Sequence, residues 1–216
     1  MAEQVEDGAG VAQGERRALR LQEAAVRHGA YRWVERRLFE LTGSWASAPG
    51  LPDEARVLLF EASAQHAWHA DLWRSRLPLL AGVDHERLTR PIGAAVEPLL
   101  ESLAPDAWHG GEETAGRRFL VGLVRVVLPR LLVSYRRFAE RLQPVADGPA
   151  IRALTLVVRD EEEEVAAAEA VVGPLLADRR RAHEAAEWTR VLDRLAVHGE
   201  AGDDPLLPWP EGNSPS

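Results

Sequence analysis

Residues 154–176 read LTLVVRDEEEEVAAAEAVVGPLL. Taken alone, TLVV at Thr155 to Val158 would suit a buried strand, because β-branched residues fit a pleated surface. The flanks decide otherwise. Leu154, Val158, Glu161, Val165, Ala168, Val172 and Leu175 recur at alternating steps of four and three. That is the a/d spacing of a helix with one inward seam, and it predicts a long helix over about 150–176.

Working outward, no stretch of the chain sustains the alternation of a strand, while helical spacing recurs. Tyr31, Val34, Leu38, Leu41 and Trp45 mark a first helix over about 15–46, with Gly29 as its weak point. After the loop APGLP a second helix opens at Pro52 or Asp53 and runs to about Leu77. A shorter segment over about 84–103 is interrupted by Pro91 and Pro98. A third long helix follows over about 112–142, with Leu120, Val124, Val127, Leu131, Tyr135 and Phe138 as its inward line. Pro129 has no N–H to donate inside it, so a kink is expected there. A fifth helix is predicted over about 179–198. Four long helices with a crossover of about 30 residues between the second and third are most economically an all-α, up-down four-helix bundle. The expected organisation is a flexible tail over 1–14, one bundle domain over 15–198, and an irregular tail over 199–216. Leu206, Leu207 and Trp209 are placed to tack that last tail down.

Composition narrows the chemistry. The chain has 216 residues and a formal net charge of -8, and all 26 of its basic residues are arginine. No long basic block breaks the acidic balance, and no short basic recognition helix precedes the bundle, so nucleic acid is not an expected partner. RRRAH at Arg179 to His183 reads as a solvated helix start. Without lysine there is no Schiff-base chemistry from the chain. Without cysteine there are no disulfides, thiolate metal sites or thiol nucleophiles. The longest apolar run, 119–135, is broken by Arg125 and Arg130, so no membrane span is expected. The opening MAEQVEDGAGVAQGE is polar and acidic, unlike a signal peptide, and the expected location is cytoplasmic.

Against this background several polar side chains fall on inward faces. Glu161 sits in the seam of the fourth helix, where an unpartnered carboxylate is costly. Glu164, three residues on, is placed to meet the same ion; Glu162 and Glu163 are expected to face solvent. On the second helix FEASAQHAWHADLW, residues 60–73, carries His66 and His69 one turn apart. There Leu58, Ala62, Gln65, His69 and Leu72 form one line and Glu61, Gln65 and Trp68 the next. Glu35 lies beside the apolar stripe of the first helix, and Tyr135 is the polar member of the third. Trp33, Trp45, Trp68 and Trp73 make the first two helices rich in aromatics, either as core filling or as the wall of a pocket.

This pattern of two long helices, a long crossover and two more resembles the ferritin-like superfamily over most of residues 16–176. The resemblance implies a dinuclear iron or manganese site, built from carboxylates on the first and third helices and Glu-x-x-His pairs on the second and fourth. Glu35 matches the first carboxylate, His69 the second-helix histidine and Glu161 the fourth-helix glutamate. The chain departs from the motif at three places. His66 stands where that pair has its glutamate, Glu164 where the other has its histidine, and the third helix lacks a matching acid near its middle, where Tyr135 takes an inward position.

Three readings stay open. One is a variant metal site of Glu35, His66, His69, Glu161 and Glu164, taking iron or manganese with zinc as a competitor. Tyr135 would then act as proton donor in the oxidation of a small organic molecule. The second is a metal-free polar cavity in which Glu61 or Glu161, its pKa raised by burial, is a general acid or base. The third is a helical scaffold that forms a homodimer through its tryptophan-bearing helices.

Overall fold

A computed structural model describes residues 19–79, 84–108, 111–197 and 206–208. In chain order these form α1 (Leu21–Ala46), α2 (Asp53–Arg74), α3 (His85–Leu88), α4 (Val96–Glu101), a 3-10 turn (Pro105–Ala107), α5 (Glu112–Gly122), a π-helical stretch (Leu123–Val127), α6 (Leu128–Ala139), α7 (Gly148–Leu175) and α8 (Arg179–Val197). The architecture is an up-down helical bundle with a long crossover and an added C-terminal helix. α1 packs along α2, α7 lies against both α2 and α6, and α8 closes over α4 and α5. Among the described residues no helix is long and apolar enough to cross a membrane.

The helix starts follow local chemistry. The Arg20 amide donates to Glu23 Oε2 at 2.7 Å, satisfying one of the free N–H groups at the start of α1. Asp53 and Glu54 stand in the first turn of α2, and Glu112 and Glu113 in that of α5, where they meet the positive end of the helix dipole. The second helix ends at Arg74 rather than Leu77, and the break expected at Pro91 separates α3 from α4.

Gly29 does not interrupt α1. It is where the crossover presses closest: a Cβ there would lie 2.1 Å from the Leu88 carbonyl oxygen. α3 is held in that place by Arg32, which donates to Thr89 Oγ1 and to Glu86 Oε1, each at 2.7 Å.

The expected kink at Pro129 takes a specific form. The turn before the proline widens, and the Leu128 amide donates back to the Leu123 carbonyl. Pro129 has no N–H for a regular ladder, and its ring would press on the carbonyl four residues earlier; a widened turn relieves that crowding. The Arg130 guanidinium reaches back to the Val126 carbonyl at 3.1 Å within the same stretch. Leu120, Val124, Val127, Leu131, Tyr135 and Phe138 are all buried, as their spacing implied.

The seam of α7 differs by a fraction of a turn from the expected one. Leu154, Val157, Glu161, Glu164, Ala168 and Val172 are buried, whereas Val158 and Val165 are only half-buried at its edge. Beyond α8, Leu206 and Leu207 are buried. Arg27 of α1 donates to the Leu207 carbonyl at 2.7 Å, so this part of the C-terminal segment is tied to the bundle. Trp209 and the 1–14 segment lie outside the described residues.

Candidate metal centre

The seam of α2 also differs from the expected line. Ala55, Leu59, Ala62, His66, His69 and Trp73 are buried, at steps of four and three, while Gln65 and Leu72 stand half-buried beside them. Both histidines therefore lie on the inward face. Glu35 comes inward from α1, and α7 supplies Glu161 and Glu164 from its own seam. The side chains of Glu35, His66, His69 and Glu161 are fully buried, and that of Glu164 nearly so.

These groups converge. Glu35, His66, His69 and Glu161 each present one ligand atom, and the four atoms lie within 4.8 Å of one another. His66 Nδ1 donates to Glu35 Oε2 at 2.7 Å and stands 3.4 Å from Glu161 Oε1. His69 Nδ1 lies 3.3 Å from Glu161 Oε1 and 3.6 Å from Glu35 Oε1. On the far sides of the rings, His66 Nε2 is 3.4 Å from Glu164 Oε2, and His69 Nε2 is 3.4 Å from Asp160 Oδ2.

The aromatic side of the cluster comes from α1, α2 and α6. The Tyr135 hydroxyl donates to Glu35 Oε1 in a short hydrogen bond, and Trp73 Nε1 donates to the Tyr135 oxygen at 3.3 Å. Tyr31 packs against Tyr135, with ring centroids 4.5 Å apart, and spends its own hydroxyl on Ser134. Trp73 is thus a wall of the cluster and Trp45 an ordinary core residue, while Trp68 faces outward.

Burial opposes charge on each of these groups, and their neighbours decide the outcome. Burial pushes Glu35 up, but His69 and His66 outweigh it and hold the carboxyl at about 2. Burial and the Glu35 charge push Glu161 up to about 7 against the pull of both imidazoles. Burial would lower His66, yet Glu164 and Glu161 hold it well above its ordinary value. For His69 the same contest, won by Glu35 and Glu161, ends at about 10. Burial, then the Glu35 charge, raises Tyr135 well above 10, so it remains a phenol that donates.

The donor set fits a divalent cation. Inside the cluster His66 Nε2, His69 Nδ1, both Glu161 oxygens and Glu164 Oε2 are buried without a hydrogen-bond partner. Buried polar atoms normally have partners, and here the unpartnered ones are imidazole nitrogens and carboxylate oxygens facing one another. Two imidazoles with carboxylates form a nitrogen–oxygen set suited to iron, manganese or zinc.

Two residues correct the sequence reading. Glu61 lies on the exposed face of α2, about 140° round the helix from His66, so the buried acid–base role expected of it has no burial to rest on. Asp160, which the sequence pattern does not single out, reaches His69 from a position one step off the seam of α7. Its signal is weak but physical: an acid next to a seam glutamate, on the flank that turns toward α2. Glu162 and Glu163 are exposed, as expected.

The fold and the buried cluster together are consistent with a degenerate ferritin-like di-metal site. The chain itself matches no protein-family model, no curated protein and no solved structure.

Proposed function

We propose that the protein is a metal-dependent oxidase or oxygenase acting on a small organic molecule, with Glu35, His66, His69 and Glu161 holding iron or manganese. The observation that carries this reading is the convergence of four buried donors, among which His69 Nδ1 and both Glu161 oxygens lack a hydrogen-bond partner. A bound iron or manganese ion would supply redox chemistry with dioxygen. The chain's own contribution is to keep the site dry, to hold Glu35 in one orientation through the Tyr135 hydroxyl, and to keep a phenolic proton at that oxygen. A groove of about 450 Å³ between α6 and α7, lined by Leu142, Ile151, Leu154 and Val158 together with Arg136, Arg159 and Glu162, offers a small organic molecule a seat less than one turn of α7 from Glu161. A homodimer in the cytoplasm remains part of the proposal, supported by Val57, Phe60 and Trp68 on the exposed face of α2; sedimentation equilibrium tests the dimer.

The test is elemental mass spectrometry on protein purified without chelator from iron- and manganese-supplemented medium, beside Glu35→Ala, His69→Ala and Glu161→Ala. Near-stoichiometric metal that disappears in all three folded variants supports the reading. Metal absent, or indifferent to the substitutions, refutes it. That result leaves the second reading, in which the buried, unpartnered Glu161 carboxyl works as an acid–base group without metal.

A further inference from the structure

We infer that the cluster holds one cation rather than two, bound by Glu35, His66 Nδ1, His69 Nδ1 and Glu161, while Asp160 and Glu164 are positioning residues that stand against the outer nitrogens of the two imidazoles. This rests on the metal reading above and specifies the number of ions and the role of each acid.

The first argument is directional. Each imidazole turns Nδ1 toward the Glu35–Glu161 pair and Nε2 away from it. The outward nitrogen of His69 faces Asp160 Oδ2 at 3.4 Å, and that of His66 faces Glu164 Oε2 at 3.4 Å. Both acids come from α7, one on each side of Glu161 in sequence. A carboxylate on one ring nitrogen fixes a proton there and leaves the other nitrogen for a metal; on His66 the ion would replace the Nδ1 proton that is donated to Glu35. The two acids thus face the two rings from opposite ends of a single helical turn, Asp160 in a hydrogen bond and Glu164 at 3.4 Å without one. Arg159 donates to Asp160 Oδ1 at 3.0 Å, which holds that carboxylate in turn.

The second argument is the missing acid. A paired site in a helical bundle draws a carboxylate from each of its helices. Residues 128–139, LPRLLVSYRRFA, contain no Asp or Glu. In their place α6 offers the Tyr135 hydroxyl, which occupies Glu35 Oε1, while His66 occupies Oε2. The side of the cluster where a second ion would need an anion is closed by a phenol.

The third argument is charge. With neutral imidazoles, Glu35 and Glu161 balance one divalent ion. Asp160 is already paired with Arg159. Adding Glu164 still leaves a second divalent ion unbalanced in a fully buried setting, and uncompensated buried charge is strongly unfavourable.

The test uses the full chain, stripped of metal and titrated with Mn2+ alone. Bound manganese is counted by equilibrium dialysis and elemental analysis and inspected by electron paramagnetic resonance. The expected result is saturation at one ion per chain with the spectrum of an isolated Mn2+. Asp160→Asn and Glu164→Gln, near-isosteric changes, should keep that stoichiometry and weaken binding by about 10- to 100-fold. Glu161→Gln should abolish it, with circular dichroism confirming a folded chain. Two ions per chain with a spin-coupled spectrum would overturn the inference and leave the metal reading standing. No binding at all would overturn both. Loss of the ion in Glu164→Gln to the same extent as in Glu161→Gln would make Glu164 a ligand and overturn its assigned role.

Discussion

Replacing Gly29 with alanine tests the contact between α1 and the crossover, because two effects of opposite sign meet there. In a helix interior, Gly→Ala ordinarily adds about 1 kcal/mol of stability. Here the new Cβ would lie 2.1 Å from the Leu88 oxygen and 2.7 Å from its carbonyl carbon. Ordinary contact begins at 3.4 Å, and the obstructing atoms are backbone, so α3 must retreat by more than 1 Å. That retreat pulls Thr89 and Glu86 away from Arg32, whose two bonds now stand at 2.7 Å. Overpacking costs about 1–3 kcal/mol, and loosening a largely buried arginine from its acceptors about another 1–2 kcal/mol. The net expectation for Gly29→Ala is a loss of about 2 kcal/mol, read as a lower urea midpoint at unchanged slope. Gly173→Ala is the comparison: in α7 its Cβ position meets nothing within 4 Å except its chain neighbours, so the helix gain and the crowding by Pro174 should leave stability within about 1 kcal/mol of the parent. A Gly29→Ala protein as stable as the parent, or more so, would refute the claim that this glycine exists for close approach.

Tyr135→Phe should cost about 2 kcal/mol in urea denaturation of the metal-free protein, because Glu35 Oε1 and Trp73 Nε1 both lose their hydroxyl partner in a dry interior. His28, whose Nδ1–H donates to the Arg76 carbonyl, is held at about 4 chiefly by burial. Between about 4 and its unfolded value of 6.5 the unfolded chain binds the extra proton, so stability is full above 6.5 and falls with pH through that window. The loss is about 3 kcal/mol by pH 4, and His28→Leu should flatten it in a pH series of melts. Metal uptake near pH 7 should release about two to three protons, since His66 and His69 start protonated beside their carboxylates and Glu161, held at about 7, is half protonated. Calorimetry in buffers of different ionisation enthalpy measures that number, and zero release would contradict the assigned charge states.

The helices were legible because apolar residues at steps of three and four survive the proline and glycine interruptions. The phase of each helix was harder to read. On α7, Val157 and Val158 are adjacent and equally apolar, so the pattern alone could not choose which one faces the core. On α2 the true seam is marked by Ala55, Ala62 and Ala70, small residues that let α1 and α2 approach closely but carry little hydrophobic signal. Leu58 and Leu72 carry more and drew the predicted line toward Gln65. That shift of about 60° put His66 beside the predicted line rather than on it, and only its spacing of one turn from His69 brought it into the candidate site. Glu35, His69, Glu161 and Tyr135 could be singled out because each interrupts an apolar pattern. Asp160 could not, because its contact with His69 crosses between helices 91 residues apart in sequence.

The widened turn ahead of Pro129 has a consequence for how the chain tolerates changes in length. A π turn is an α-helix that has absorbed one additional residue. Deleting a residue from Leu123–Val127 would let the ladder close as a regular helix, but it would bring the Val124 or Arg125 carbonyl back under the Pro129 ring. Replacing Pro129 with alanine removes the obstruction but leaves the surplus residue. Each change alone leaves a helix that fits its neighbours poorly, whereas the two together give an unbroken rod with Leu120 and Tyr135 on the same face. The proline and the surplus residue are therefore an epistatic pair, expected to be gained or lost together as this helix changes.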